Sequence, residues 1–258
     1  MTRPVPPIRF FDITSKLKTK AWSPNCWKIR YVLNYKNLPY ETTWVEYPDI
    51  EPTCLQIGAS PTSNSTPRYT LPVIQDESSS SGPGVVLSDS YKILQYLESQ
   101  YPSTPEGALS LNPDPQRTRT FLSAFRKQLS ALWAFAIPQE VGILTPRSEE
   151  YFRRTRQEIF GVRKLEELMP KGKEREVRWK KFEEDLGVVD SWVPRDGARV
   201  FVGGGGRPTY PDFVVSAIMI WCRTIWGEDS QEWRDISSWH GGRWGRLVEM
   251  LKEYETVK

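Results

Sequence analysis

The chain of 258 residues carries a formal net charge of +3, and 38 % of its residues are hydrophobic while 26 % are charged. This composition is typical of soluble globular proteins, and the length suits one large domain or two modest ones. The net charge is too small to make nucleic acid or an anionic membrane the main partner. The most apolar stretch, residues 213–221, is too short to span a bilayer.

Three cysteines and one histidine limit the chemistry that the chain can perform. Cys26, Cys54 and Cys222 have neither the spacing of a disulfide framework nor that of a zinc site, so we expect a reducing, cytoplasmic location and no metal. The first nine residues lack the apolar core of a secretory signal, which favours the same location. His240 stands in a Trp- and Gly-rich segment without a partner nearby in sequence. We therefore expect it to be structural, and any catalytic base to be another group.

Short apolar strands alternate with helical patterns in the first part of the chain, which is typical of a β/α unit. Strands are predicted at residues 8–12, 42–45, 69–75 and 85–87, and helices at 24–36 and 90–101. Residues 48–68 give no clear pattern. Apolar residues at positions 29, 32 and 33 share one side of the first helix, so that side is predicted to face the sheet.

Ser23-Pro24-Asn25-Cys26 lies where the first helix is predicted to begin. Proline fits the first helical position, so Ser23 becomes the N-cap, beside unpaired backbone N–H groups and the positive end of the helix dipole. Such a site favours an anion, and a thiolate is one. Serine before proline also caps ordinary helices, so a catalytic hydroxyl and a plain helix cap both remain open on these residues.

The second part of the chain has a helical composition. Prolines between residues 102 and 115 predict a linker, and residues 117–192 are rich in helix-forming residues without convincing strands. Thr209-Tyr210-Pro211-Asp212 matches a capping box and precedes apolar residues at i, i+3, i+4 and i+7. A central buried helix is therefore predicted to begin there.

Four local motifs, taken in their order along the chain, resemble those of a cytosolic glutathione transferase. They are the segment from Ser23 to Cys26, Thr70-Leu71-Pro72-Val73, Leu87-Ser88-Asp89-Ser90 and the capping box at 209–212. The resemblance implies an α/β thioredoxin-like N-terminal domain at residues 1–104 and an all-α C-terminal domain at 105–258. Within the family, Trp22-Ser23-Pro24-Asn25-Cys26-Trp27-Lys28 is most similar to the fungal FuA class, which is related to the bacterial etherase-type transferases.

The resemblance implies that glutathione is the co-substrate and that its thiol is activated at Ser23. A free thiol with a pKa of about 8.5 is mostly protonated at neutral pH, so a hydroxyl donor at a helix N-terminus would supply thiolate without a histidine. Ser23 would donate a hydrogen bond and would not attack. Asn25 is a second donor in the same turn that could share or replace this role.

Further residues are expected to bind the peptide. The resemblance implies that Leu71 and a cis-Pro72 bind the cysteinyl unit of glutathione. It also implies that Asp89 and Ser90 bind the γ-glutamyl end and that Trp27 belongs to the glutathione site. Helix capping is the ordinary explanation for Asp89 and Ser90.

Two positions could bind the glycyl carboxylate of glutathione. Arg68 and Lys36 are both cationic candidates for it, and the choice between them stays open.

Cys26 occupies the place of a resolving cysteine in the thioredoxin interpretation, but its partner position holds Ser23. A dithiol reaction within the motif is therefore excluded, and a buried structural thiol is the expected state of Cys26. Conjugation by glutathione and peroxide reduction both remain open.

The acceptor substrate is expected to be a hydrophobic aromatic electrophile or a peroxide, bound near Tyr47, Trp133 and Phe135. The alternative is a carrier of aromatic plant or wood metabolites with little or no catalysis, because a fold does not determine function. The resemblance also implies a homodimer.

Overall fold

The structure is a computed structural model, and it describes residues 6–77, 84–102, 110–193, 201–202 and 206–258. The chain divides into two compact units, one formed by Met1–Ser110 with Glu253–Lys258 and the other by Leu111–Lys252. The domain boundary predicted between residues 104 and 105 lies outside the described residues. The return of the last six residues to the first unit was not predicted from the sequence.

The described residues of the first unit form a four-stranded sheet with three α-helices. Its strands are β1 (Ile8–Ile13), β2 (Tyr40–Val45), β3 (Val73–Asp76) and β4 (Val85–Ser88), and its helices are α1 (Pro24–Tyr35), α2 (Ile50–Gln56) and α3 (Ser90–Gln100). The strand order is β2-β1-β3-β4, with β1 parallel to β2, β3 antiparallel to β1 and β4 antiparallel to β3. The α/β thioredoxin-like prediction for this part of the chain is confirmed.

Two elements differ from the sequence prediction. β3 begins at Val73 and not at Tyr69, because Pro72 has no N–H to donate to a strand ladder. The short helix α2 was missed in the segment 48–68. It has seven residues, only two of them buried, which is too few for a helical period to be seen.

The segment Glu253–Lys258 packs against α1 and β2. The Asn34 side-chain amide donates to the carbonyl oxygens of Tyr254 and Thr256, at 2.7 and 2.9 Å. The Thr42 hydroxyl donates to the carbonyl oxygen of Lys258 at 2.5 Å. These contacts place the end of the chain beside the sheet edge that β2 forms.

The described residues of the second unit form helices and no strand, as predicted. The helices are α4 (Pro115–Gln128), α5 (Trp133–Glu140), α6 (Pro146–Phe160), α7 (Gly172–Ser191), α8 (Tyr210–Trp226) and α9 (Gln231–Met250). Most of α8 is buried, and the Asp212 carboxylate accepts from the backbone N–H groups of Thr209 at 2.8 Å and Val202 at 2.5 Å. The predicted capping box and the predicted buried helix are therefore confirmed. Among the described residues, no helix is long and apolar enough to cross a membrane.

His240 lies at an interruption of α9. Its φ is +54°, and Gly241 and Gly242 follow with φ of +68° and +80°, in the left-handed region that favours glycine. Its Nδ1 accepts a hydrogen bond from the Trp244 indole at 3.0 Å. The structure thus gives this histidine a structural partner, in agreement with its predicted role.

Glu140, at the end of α5, is a buried carboxyl in the second unit. Burial raises its pKa to about 8 from an ordinary value of 4.5, and the charge of Arg156 only partly opposes this rise. Because the folded-state pKa lies above the unfolded value, the stability that neutral Glu140 contributes is complete below pH 4.5. It is then lost as the pH rises toward 8.

Glu140→Gln should therefore change stability in a pH-dependent way. The variant should melt within about 2 °C of the wild type at pH 5 and at least about 5 °C above it at pH 9, because the amide has no proton to lose. Differential scanning fluorimetry across this range measures the difference, with the exposed Glu150→Gln as the control. A difference that stays constant with pH would contradict a neutral Glu140 in the folded state.

Candidate functional site

The turn between β1 and α1 is fixed by backbone and side-chain hydrogen bonds. The Thr14 N–H donates to the Val45 carbonyl at 3.0 Å, and the Trp22 indole donates to the Thr14 carbonyl at 3.3 Å. The Ser15 hydroxyl donates to the Lys20 carbonyl at 3.0 Å. The turn therefore presents Ser23 in a defined position at the N-cap, immediately before the first residue of the helix.

Ser23 is the N-cap of α1, with extended backbone angles (φ −60°, ψ 122°) and Pro24 next to it, as the sequence predicts. Its hydroxyl makes no capping hydrogen bond. Instead it donates to the sulfur of Cys26. The backbone N–H groups of Asn25 and Cys26 make no backbone hydrogen bond within the described part of the chain. The helix start thus offers N–H donors and a hydroxyl that is not used for capping.

Asn25 differs from Ser23 in its exposure. Ser23 is 4 % exposed, whereas the Asn25 side chain lies at the surface. Its Oδ1 accepts from the Lys28 ammonium at 2.7 Å, and this leaves its amide N–H groups toward solvent. Two hydrogen-bond donors therefore lie within one turn: the Asn25 amide, which is exposed, and the Ser23 hydroxyl, which is buried and donates to the Cys26 sulfur.

Beneath this turn lies a buried ion pair. Arg30 Nη2 is 2.7 Å from Asp12 Oδ2, and both side chains are at most 1 % exposed. Asp12 Oδ1 accepts from the Ile13 N–H at 2.6 Å, and the carboxylate also accepts from the Cys26 thiol. Hydrogen bonds thus run from Ser23 through Cys26 to Asp12, which the guanidinium of Arg30 balances.

The Arg30 guanidinium is enclosed by rings and oxygen acceptors. Four ring centroids lie 4.9–5.6 Å from its central carbon, those of Phe10, Trp27, Tyr40 and Trp44. Its Nη1 donates to the Tyr40 and Thr42 hydroxyls at 3.2 and 3.1 Å. Aromatic rings and hydroxyl acceptors therefore replace water around the guanidinium of Arg30.

Cys26 is a buried thiol, as expected. Burial, followed by the negative charge of Asp12, raises its pKa well above the ordinary value of 9.0. It stays protonated at neutral pH, and so it is a hydrogen-bond donor to Asp12 and no nucleophile. Cys54 and Cys222 are buried and free as well.

The predicted peptide-binding residues lie at the ends of β3 and β4. The Leu71–Pro72 bond is cis, as the resemblance implied, and Leu71 precedes the first ladder residue of β3. Asp89 has φ +76° and caps α3, where its Oδ1 accepts from the N–H groups of Tyr91 and Lys92 at 2.9 and 3.0 Å. One carboxylate oxygen of Asp89 therefore serves the helix, while Oδ2 has no hydrogen-bond partner among the described residues. Ser90 is the first residue of α3 and is half-buried.

The structure separates the two candidates for the glycyl carboxylate. The Lys36 ammonium is 2.9 Å from Glu98 Oε1 and donates to the Tyr101 carbonyl at 2.7 Å, so it already holds α1 to α3. Binding of the glycyl carboxylate by Lys36 would require these contacts to open. Arg68 is exposed, and no ion pair involves it among the residues that the structure describes.

The remaining predicted residues have well-defined neighbours within their own units. Trp27 is 5 % exposed and packs on Tyr31, with 5.6 Å between the ring centroids, so little of it can touch a ligand. Tyr47 is half-buried beside Trp22 in the first unit.

Trp133 and Phe135 both lie on α5 of the second unit, but they contact different groups. Trp133 packs on Trp221 at 5.7 Å, whereas Phe135 packs on Trp179 at 5.1 Å. Residues two apart on a helix point in different directions, so the structure does not bring these two rings together.

Sequence reasoning missed Asp12 and Arg30. Both are charged residues with apolar or aromatic neighbours on either side in sequence, and Arg30 follows Cys26 by one helical turn. That position within the apolar face of α1 was the available signal. In the described ranges, no three or more His, Cys, Asp or Glu residues are grouped as metal ligands would be.

Comparison with known proteins assigns this architecture to one class. Residues 22–100 match the N-terminal domain of glutathione S-transferases, and residues 118–254 match the C-terminal domain of that family. The two matches together span most of the chain. The protein therefore belongs to the glutathione S-transferase family, and its enzyme class is that of the glutathione transferases.

Its similarity to individual fungal proteins extends over nearly the full length of the chain. A glutathione S-transferase of Ceriporiopsis subvermispora, solved in complex with glutathione, is 39 % identical, with a TM-score of 0.88 and coverage of 98 % of this chain and 99 % of that one. The transferase GSTFuA3 of Phanerochaete chrysosporium is 37 % identical, with a TM-score of 0.86 and coverage of 98 % and 99 %. The glutathione S-transferase-like protein ustS of Aspergillus flavus is 34 % identical over 93 % of this chain and 88 % of its own length. The resemblance to the fungal FuA class is thus confirmed.

The Arg30–Asp12 pair can be tested with a double-variant cycle. Arg30→Met should lower the free energy of unfolding by about 3–5 kcal/mol, because it leaves the Asp12 carboxylate buried without its counter-charge. Adding Asp12→Asn should restore stability to within about 2 kcal/mol of the wild type. Chemical denaturation measures all three proteins.

The control is Arg9→Met, which changes an exposed arginine on β1, the strand that carries Asp12. At lower pH the loss of unfolding free energy in Arg30→Met should become smaller, since protonation removes the unbalanced charge of Asp12. A double variant as unstable as Arg30→Met would show that the ion pair does not carry this stability.

Proposed function

We propose that this protein activates the thiol of glutathione at the N-terminus of α1 and transfers the tripeptide to hydrophobic aromatic electrophiles. The observation that carries the proposal is the unused capping position. Ser23 stands at the helix start, and its hydroxyl is not bonded to the helix backbone. A thiolate placed there would receive the Ser23 hydrogen bond and meet the N–H groups of Asn25 and Cys26.

The Ser23 hydroxyl must leave Cys26 to reach the substrate thiol. In this structure it donates to the Cys26 sulfur, which is a weak acceptor. A thiolate is a stronger acceptor, so rotation of the hydroxyl toward bound glutathione is favourable. Asn25 is already exposed and serves as the second donor.

The peptide site of the proposal uses backbone and charge together. Leu71 before the cis-Pro72 offers its N–H and C=O to the cysteinyl unit, in the manner of an added strand. Asp89 Oδ2 and Ser90 bind the γ-glutamyl end, and exposed Arg68 is the cation for the glycyl carboxylate. The related Ceriporiopsis enzyme, solved in complex with glutathione, supports glutathione as the bound peptide.

The acceptor is proposed to be a flat aromatic electrophile, with organic peroxides as a second substrate class. Tyr47, Trp133 and Phe135 remain the predicted acceptor residues, and a homodimer remains the predicted assembly. A carrier of aromatic metabolites with little turnover is the alternative. The N-cap hydroxyl that does not cap its helix, together with the acidic cap of α3, favours the enzyme, since a carrier needs no peptide site.

Kinetics with chlorodinitrobenzene and cumene hydroperoxide test this assignment. Ser23→Ala should lower kcat roughly 10- to 100-fold with little change in KM for glutathione, because the lost bond stabilises the thiolate. Asn25→Ala should lower kcat less than about threefold. Asp89→Asn keeps an N-cap residue but removes the charge, and it should raise KM for glutathione roughly tenfold while leaving kcat nearly unchanged.

Each outcome has a defined meaning. Unchanged turnover in Ser23→Ala would remove Ser23 from the mechanism, and a large loss in Asn25→Ala would transfer the role to that residue. A wild type that binds aromatic ligands but turns over neither substrate would support the carrier. Glu41→Gln, an exposed change on β2, is the control for surface charge.

A further inference from the structure

The second unit contains a cavity of about 310 Å³ where the ends of four helices meet. Its walls come from the end of α5, the start of α7, the end of α8 and the start of α9. None of the residues assigned to glutathione lines it. Its volume lies at the lower end of the range for small-molecule sites, which suits a ligand of one or two rings.

One side of the cavity is aromatic and held by a fixed set of rings. Phe135 and Trp226 line it, and Trp179 packs on both, with centroid distances of 5.1 and 5.8 Å. The Trp179 indole donates to Asp235 Oδ2 at 2.9 Å, which fixes its orientation. The cavity therefore has a preformed apolar surface for a flat ring.

The other side carries polar groups with unused donors. Arg175 Nη2 is 2.6 Å from Glu232 Oε1, and its guanidinium carbon lies 5.3 Å from the centroid of the Phe135 ring. This ion pair holds the guanidinium over the aromatic surface. The side chains of Lys171 and Gln139 also border the cavity and have no hydrogen-bond partner among the described residues.

The charges of the lining determine which ligand it favours. Lys171 and Arg175 contribute two positive charges and Glu232 one negative charge, so the lining carries a net charge of +1. A monoanion would neutralise this excess, and a carboxylate matches the forked donors of an arginine. A neutral ring would use only the aromatic side.

We propose that this cavity binds small aromatic monocarboxylates, separately from the glutathione site. The ring lies against the half-buried Trp226, and the carboxylate accepts hydrogen bonds from Arg175 and Lys171. Because every lining residue belongs to the second unit, the site does not depend on Ser23 or on the proposed thiol chemistry.

Isothermal titration of the full-length protein with naphthoate and with its neutral methyl ester tests the proposal. Naphthoate should bind at least about tenfold more tightly than the ester, because only the acid pairs with the cationic side. Arg175→Gln should weaken naphthoate binding about tenfold or more and leave ester binding nearly unchanged. Trp226→Ala should weaken both ligands.

Arg178→Gln is the matched control, since it removes an exposed arginine of α7 that pairs with Glu174 and does not line the cavity. It should leave both affinities unchanged. Saturating glutathione should not compete with naphthoate, and Ser23→Ala should bind it as the wild type does. Equal affinity for acid and ester, or equal losses in Arg175→Gln and Arg178→Gln, would overturn the proposal, as would absence of naphthoate binding to the wild type.

Discussion

The buried ion pair between Arg30 and Asp12 is the interaction on which the organisation of the first unit depends. It joins α1 to β1 at a point where neither charge has access to water, so each requires the other. Arg30 also contacts β2, because it packs against aromatic rings and donates to the hydroxyls of Tyr40 and Thr42. Through Thr42 the same network reaches the final residue, Lys258. The end of α1 that carries the candidate catalytic serine is thus fixed from beneath.

The chemistry of the site follows from where this ion pair places the helix start. Asp12 accepts a hydrogen bond from the Cys26 thiol, and its negative charge adds to burial in keeping that thiol protonated and neutral. The helix dipole is therefore available to an external anion. The thiol of glutathione is such an anion once deprotonated, and no imidazole is needed to stabilise it. Asp89 caps α3 with one carboxylate oxygen, and under the proposed function its other oxygen binds the γ-glutamyl end of glutathione.

The sequence predicted the elements whose patterns are strong and local. The strands of the sheet, the N-cap at Ser23 and the box at Thr209 and Asp212 follow from periodicity and capping chemistry, and the cis-Pro72 followed from the family resemblance. Arg30 was not predicted, because a charged residue in a helix is ordinarily assigned to its solvent face, and only the fold shows Asp12 opposite it. The ion pair of Lys36 was not predicted for the same reason, since its partner Glu98 is distant in sequence. The separation of Trp133 from Phe135 could have been predicted from their spacing alone.

The central claim is that the N-terminus of α1, with the Ser23 hydroxyl, stabilises the thiolate of bound glutathione. Its most direct test is a pH titration of the ultraviolet absorbance of that thiolate in the binary complex, with wild type and Ser23→Ala compared at saturating glutathione. The account predicts a thiol pKa at least about one unit below the free value of about 8.5 in the wild type, and a clearly higher pKa in the variant. A wild-type pKa equal to that of free glutathione, or the same lowered pKa in both proteins, would contradict it.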